Sequence, residues 1–379
     1  MSALDVGASV SVATLAAVWL LYPLVMGVLA RVARRRARRA GRPADAGIRS
    51  VSVVIATRDE PAAVWARVED CLKARNVPAQ LEVIVALDPR RGLDPRERGL
   101  SARDRVRFVT GDRPGGKAAT LNAGVRAAAG DIVVFTDTSQ RFHPDAIAAL
   151  VKALGDPGIG AVSGSLELRA SGAMTSLAAV YWRWERWLRQ REAEVHSSVG
   201  VTGAIYAIRT SLWRPLPQGL LLDDLYTPMQ IVLRGYRVGF VEGARAWETR
   251  QPRPTEEYRR KARTLTGVIQ LCAWLPELLS PVRNDIWLQF LFHKLLRFLT
   301  PYCTLAVGAW CLVAIWPMLT QHWSFWLGPA VAALLGVSLL SANRTRSLRN
   351  MVAETFLLSG AVMAATFHGL RGRWDVWQK

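Results

Sequence analysis

The stretch Gly111–Gln140 reads GDRPGGKAATLNAGVRAAAGDIVVFTDTSQ. It opens on a glycine turn carrying Lys117, continues through Ala-rich sequence, and predicts a helix over about 118–129. Ile132 to Phe135 then forms a short, wholly apolar strand that delivers Asp137 at its end. A continuous apolar β-type run is the pattern of a strand buried on both faces, as in the parallel sheet of an α/β fold. Open α/β sheets bind ligands just beyond the carboxyl ends of such strands. An aspartate at that point, beside a Gly-Gly-Lys turn, suits a phosphate-bearing ligand with a metal ion.

Working outward, the same grammar repeats. VSVVIA (51–56) predicts a strand, followed by Thr57-Arg58-Asp59-Glu60-Pro61 and a helix to about Lys73. LEVIVAL (81–87) predicts a second strand ending at Asp88, and Arg107–Val109 a third. Strands alternating with helices imply a parallel sheet with right-handed crossovers. The first turn lacks GxGxxG, which counts against a dinucleotide site. Ile159–Ser163 reads as a further strand, and Tyr181–Arg189 (YWRWERWLR) as an aromatic, Arg-rich helix suited to a membrane interface, a ligand wall or ordinary packing. The pair Asp223-Asp224 opens a helix that ends near Arg234-Gly235, where plain helix capping is the bland explanation. Tyr236–Trp247 reads as a pair of edge strands, followed by the basic segment YRRKART (258–264).

Composition sets the outer frame. The 379 residues are 51% hydrophobic yet carry a net charge of +19, so apolar and basic residues must be segregated. Ala8–Ala30 is uncharged and long enough to span a bilayer. Arg31, Arg34, Arg35, Arg36, Arg38, Arg39 and Arg42 follow it, which places the next domain in the cytoplasm under the positive-inside rule. Adjacency to a span favours a lipid-facing anchor over a nucleic-acid site for these arginines. Further candidate spans are 299–319, 323–342 and 353–367, with 284–297 amphipathic along the interface. The basic tail 371–379 conflicts with four full crossings, so either the last segment crosses incompletely or the tail breaks the charge rule. The expected organisation is an N-terminal helix (1–31), a basic linker (32–49), an α/β domain (50–270), an interfacial segment (271–297) and a membrane region (298–379). Cys71, Cys272, Cys303 and Cys311 have neither CxxC nor Cys/His ligand spacing, and the five histidines are scattered, so neither a zinc site nor a disulfide framework is indicated.

Two readings of the phosphate site compete. Gly111–Lys117 fits GxxxxGK after a strand and before a helix, but position 118 is Ala where a P-loop needs a Ser or Thr hydroxyl. The alternative accounts for more residues. In order and spacing, VSVVIATRDEP, Asp88 after LEVIVAL, GGKAATLNAG, VVFTD, LLDD and RRKART resemble the family 2 glycosyltransferases of GT-A fold, an α/β architecture. The likeness is greatest to their membrane-embedded branch of cellulose-, hyaluronan- and chitin-synthase-like proteins.

That resemblance implies a role for each residue. Asp59, Glu60 and Asp88 would face the nucleotide, and Lys117 its diphosphate, with Asn122 holding the helix behind. Asp137 would be the leading carboxylate of the DxD motif, binding a divalent metal (Mg²⁺ or Mn²⁺) and the diphosphate. Ser139 stands where the second carboxylate belongs, and a hydroxyl is the weaker ligand. Asp223-Asp224 would be the acidic pair whose second member, Asp224, is the general base. In the segment matching QxxRW, Arg260 replaces Gln, Arg263 keeps the Arg and Thr264 replaces the acceptor-lining Trp, which counts against processive synthesis. Arg259, Arg260 and Arg263 would contact diphosphate. The implied partners are a nucleotide sugar (UDP-linked by preference), a glycan or glycolipid acceptor and the lipid bilayer, without nucleic acid. A non-catalytic scaffold on a degenerate nucleotide-sugar fold is the remaining alternative, on account of Ser139 and Thr264.

Overall fold

A computed structural model describes residues 2–40, 47–91, 104–168, 177–248, 254–321, 359–369, 371, 372 and 374. Its centre is an eight-stranded mixed sheet, made of β1 (Ser50–Thr57), β2 (Gln80–Leu87), β3 (Val106–Thr110), β4 (Ile132–Thr136), β5 (Gln140–Phe142), β6 (Ile159–Leu168), β7 (Tyr206–Arg209) and β8 (Arg237–Glu248). The spatial order is β3-β2-β1-β4-β7-β6-β8-β5. The first four strands in that order run parallel. The helices α3 (Pro61–Leu72) and α4 (Lys117–Ala127) lie between successive parallel strands in the chain, as crossovers require. Antiparallel β7 then joins β4 to β6, and β8 runs parallel to β6.

Alternation along the strands divides the core. Val51, Val53 and Ile55 pack with Val64 and Val68 of α3 and with Ile147 and Leu150 of α5 (Ala146–Ala153). Val54 and Ile84 turn the other way, with Leu121 and Val125 of α4 and with Leu225 and Met229 of α7 (Asp223–Val232). Burial on both faces is why these strands are apolar at nearly every position. The parallel half matches the sequence reading, with each strand slightly longer than the apolar run that signals it.

The 236–247 region differs from expectation: it forms one strand, β8, paired on both sides. Ser163 and Ser165 pair with Phe240 and Arg245, so β8 carries extra residues in a bulge around Gly243. A bulge at glycine looks, in sequence, like the turn of a hairpin.

Outside the sheet, α1 (Ala3–Ala16), a π-turn (Ala17–Leu21) and α2 (Tyr22–Ala40) form one long helical run, which α10 (Thr300–Gln321) accompanies. Trp310 donates from Nε1 to Asp5 at 3.0 Å and Trp19 to Thr300 at 3.0 Å, so α1 and α10 run antiparallel. Helical runs over Ala3–Arg36 and Trp287–Pro317 are each long and apolar enough to cross a membrane. The expected span 323–342 and residues 353–358 of the last one lie outside the described residues, while 359–369 is helical. The expected amphipathic segment 284–297 is a short helix α9 (Trp287–Phe290), a π-turn (Leu291–Leu295) and the first residues of a 3₁₀ turn (Leu296–Leu299).

Arg67 shows how the frame holds the sheet edge next to the cleft. It is fully buried on α3, pairs with Asp70, stacks 3.9 Å over Phe142 and donates to Thr136 Oγ1 at 2.8 Å, one residue before Asp137. Replacing Arg67 by Met removes those bonds while keeping the stem, and is expected to cost about 2 kcal/mol of stability in urea unfolding. A change within ~0.5 kcal/mol, the range of ordinary surface substitutions, would show that Arg67 is not structural.

Candidate active site

The carboxyl ends of β1, β2 and β4 place Asp59, Asp88 and Asp137 along one rim of the sheet. Asp59 is turned toward the β4 end, where Thr138 donates its hydroxyl to the Asp59 carboxylate. Asp88 accepts from Arg90 Nη2 at 2.6 Å and from the Gly116 amide at 3.3 Å. Burial alone would raise the Asp88 pKa, but these hydrogen bonds and the Arg90 charge hold it below the ordinary carboxylate value. The turn needs its glycine: a Cβ on Gly115, at φ +93°, would lie 2.6 Å from Asp88 Oδ1. Glu60 is exposed and forms the N-cap of α3.

Lys117, the first residue of α4, reaches across the rim. Its Nζ lies 3.7 Å from Asp137 Oδ1 and 3.4 Å from Asp223 Oδ2. Partial desolvation at the rim would lower its pKa; Asp137, Asp223 and Asp224 together raise it instead, so it is a firm cation at neutral pH. The geometry separates Lys117 from a P-loop lysine, since its partners are carboxylates from β4 and α7. Asn122 on α4 exchanges hydrogen bonds with the Leu216 backbone at 2.8 and 2.9 Å, fixing the loop that leads toward α7.

Asp223 and Asp224 begin α7, whose N-cap is Leu222 and has no side-chain cap. Both lie in its first turn, where the helix dipole favours a carboxylate, but neither caps the helix with its side chain. The Asp224 carbonyl accepts the Val201 amide at 3.0 Å, but its carboxylate accepts no hydrogen bond among the described residues. Its carboxylate instead faces Gly203, where a Cβ would stand 3.1 Å from Oδ2. Burial first, then the charge of Asp223, push the Asp224 pKa up, while Lys117, Arg263 and Lys294 oppose the rise. The result is a carboxylate more basic than usual with a free face, which is what proton abstraction requires. Arg263 on α8 (Pro254–Trp274) thus comes within electrostatic reach of both Asp224 and Lys117. Arg260 is exposed one turn earlier on the same helix.

Tyr206 was not signalled by the sequence. It is paired with Phe135 across β4 and β7, stacked on that ring at 4.5 Å, and buried beneath the acidic residues. Its hydroxyl has no hydrogen-bond partner, and burial plus the charges of Asp223, Asp224 and Asp137 hold it firmly protonated. Only the strand pairing, 71 residues apart in sequence, brings it there.

No cluster of three or more His, Cys, Asp or Glu side chains arranged to hold a metal occurs among the described residues. Asp137 nevertheless fits a divalent ion in the mode that uses one carboxylate plus substrate phosphates. It is 41% exposed at a strand end and already holds one cationic group, the Lys117 ammonium. Ser139 is turned to Gln140, which donates to its Oγ at 2.9 Å.

With this geometry described, comparison with known proteins is informative. The family described as "Glycosyltransferase like family 2" matches residues 49–267, more than half of the chain. The chain belongs to the family 2 glycosyltransferases. Among solved structures, it is similar to a mannosyltransferase from Pyrobaculum calidifontis in complex with GDP-Man and Mn²⁺, with TM-score 0.62, 20% identity, and 98% of this chain and 99% of that chain covered. It also aligns with glucosyl-3-phosphoglycerate synthase from Mycobacterium tuberculosis, with TM-score 0.41, 20% identity, and 62% and 81% of the two chains covered. No curated protein matches it. The glycosyltransferase thus carries a GT-A-like mixed α/β sheet, and the P-loop reading falls away.

The raised Asp224 pKa has a stability consequence of definite sign. The neutral carboxyl is favoured in the folded state, so ionisation at higher pH destabilises the fold. Asp224→Asn is expected to raise the melting temperature at pH 8, with the gap closing below about pH 4, where the wild-type carboxyl is neutral folded or unfolded. A variant less stable than wild type at pH 8 would contradict the assigned environment.

Proposed function

We propose that this glycosyltransferase is membrane-integral and transfers a sugar, with inversion, from a nucleotide-sugar donor to a membrane-presented glycan or glycolipid. The observation that carries this reading is the free, basic face of Asp224 beside a cation pair, Lys117 and Arg263. Asp224 accepts the proton of the acceptor hydroxyl as that oxygen bonds to the anomeric carbon. The bond from that carbon to the diphosphate oxygen breaks, and single displacement inverts the centre. Lys117 and Arg263 face the charge that grows on the leaving diphosphate. A divalent ion held by Asp137 and the diphosphate would add Lewis-acid stabilisation there. Asp59, Glu60 and Asp88 bind the nucleotide portion, Asp223 holds Lys117 in place, and Arg260 contacts diphosphate. A UDP-sugar is the preferred donor.

The membrane reading rests on the paired apolar helices and on charge placement. The basic end of α2 turns toward the catalytic side, where Arg34 pairs with Glu194 at 2.9 Å, on α6 (Leu177–Val195). Arginines at one end of a span mark its cytoplasmic side. The catalytic domain accordingly faces the cytoplasm, as in the membrane-embedded branch of the family.

The test follows nucleoside diphosphate release by the lipid-reconstituted protein with UDP-, GDP- and dTDP-sugars and Mg²⁺ or Mn²⁺. One donor should be turned over, and Asp224→Asn should slow release by about 10²–10⁴-fold while donor binding persists. Absence of binding by every nucleotide sugar would favour the scaffold reading. Separately, Asp137→Ala should weaken donor binding and abolish its dependence on Mn²⁺, as titration calorimetry with and without the metal reads. Metal-dependent binding unchanged in that variant would place the diphosphate elsewhere.

A further inference from the structure

The polar groups along the donor rim already have partners within the chain. Thr138 donates to the Asp59 carboxylate, Arg90 donates to Asp88 at 2.6 Å, and the Ser139 hydroxyl accepts from Gln140 at 2.9 Å. Asp137, the carboxylate suited to a divalent ion, shares the Lys117 ammonium with Asp223, at 3.7 and 3.4 Å. A cation carried on the protein's own chain thus stands beside the oxygen that would ligate a metal.

The hold on that cation is loose, as a second polar cluster makes plain. Where the apolar helices join the catalytic domain, His293 is fully buried between two glutamates of α6, 2.7 Å from Glu185 and 2.7 Å from Glu192. Tyr22 donates its hydroxyl to Glu192, and Arg297 donates to Glu185 at 2.8 Å. Those bonds are short and closed to water. The Lys117 contacts are longer, and the side chains of Lys117 and Asp137 are 43% and 41% exposed. Ion pairs so exposed contribute little stability, and a lysine carries its charge on a flexible stem with three donors. Lys117 can therefore exchange one anion for another without disturbing its surroundings.

Its charge bears on any free metal ion. An ion about 2.1 Å from Asp137 Oδ1 lies no more than about 6 Å from the Lys117 nitrogen, whatever its direction. Repulsion between a divalent ion and an ammonium at that distance lowers the affinity about tenfold even at the dielectric constant of water. Ser139, a hydroxyl where a second carboxylate would compensate, offers little in return. A diphosphate reverses the balance, because it needs both cations as counter-ions. Lys117 can then turn to a phosphate oxygen and leave Asp137 to the metal.

We propose that Lys117 keeps free divalent ions off Asp137 and yields that place only to an ion accompanied by the nucleotide sugar, so that metal and donor bind as one complex. This rests on the transferase reading, since the diphosphate is the donor's. It sets the order of binding and gives Lys117 a task before the reaction begins.

The test uses the full chain in dodecyl maltoside at low ionic strength, with Mn²⁺ alone as the first probe. Loss of the electron paramagnetic resonance signal of free Mn²⁺ reads binding directly. Lys117→Gln should bind Mn²⁺ about tenfold more tightly than wild type, and Lys117→Arg should match wild type. A gain of binding is not what a damaged fold yields. Adding Asp137→Ala to Lys117→Gln should remove the gain, which locates the ion. Equal affinity of wild type and Lys117→Gln, or a gain in Lys117→Arg as large as in Lys117→Gln, would overturn the proposal. In equilibrium dialysis with a panel of UDP-, GDP- and dTDP-sugars, wild type should retain Mn²⁺ at low concentration only when a bound donor is present. Retention that is the same with and without that donor would overturn joint binding. Failure of the whole panel to bind would count against the transferase reading, and the comparison with Mn²⁺ alone would still decide whether Lys117 excludes the ion.

Discussion

Asp137, Asp223 and Asp224 converge on one ammonium, that of Lys117, and the rest of the molecule is arranged to allow it. Like charges brought together from a strand end and a helix start repel, and the helix dipole compensates only two of the three. Lys117 makes the gathering tolerable and does so unevenly: it pairs with Asp137 and Asp223 at 3.7 and 3.4 Å and leaves Asp224 without a direct bond. That inequality divides their roles, leaving one carboxylate basic and open while its neighbours carry the cation. The α/β frame serves this end. Parallel strands bring Asp59, Asp88 and Asp137 to one rim, and antiparallel β7 lays Tyr206 under the acidic group.

Much of the frame was legible because burial on both faces leaves a plain record. VSVVIA, LEVIVAL and IVVFT are strands buried over most of their length, so the only non-apolar residues before their last positions are Ser52 and Glu82, which hydrogen-bond each other. The aspartates at their ends stood out for the same reason, as charge after a mainly apolar run. Long-range pairing leaves no such trace. Lys117 and Asp223 lie 106 positions apart, and nothing near either announces the other. The same holds for Tyr206, and for His293, which as an isolated histidine in an apolar segment showed no sign of the two glutamates that hold it. β8 was misread because a glycine-bearing bulge and a hairpin turn use the same residues.

The polar cluster around His293 ties the two regions of the chain together. Its members come from α2, from α6 and from the segment that leads into α10, so the apolar helices and the catalytic wall share one set of hydrogen bonds. Removing any one member would leave another buried and unsatisfied, which makes such networks stiff.

The central claim is that Lys117 sets the basicity of Asp224, and one measurement addresses it directly. The single-turnover transfer rate at saturating donor is followed against pH for wild type and Lys117→Gln. Because Lys117 opposes the rise in the Asp224 pKa, its loss should move the acidic limb of the profile to higher pH. A lower rate with the limb unmoved would contradict the account, since Lys117 would then act on the donor alone.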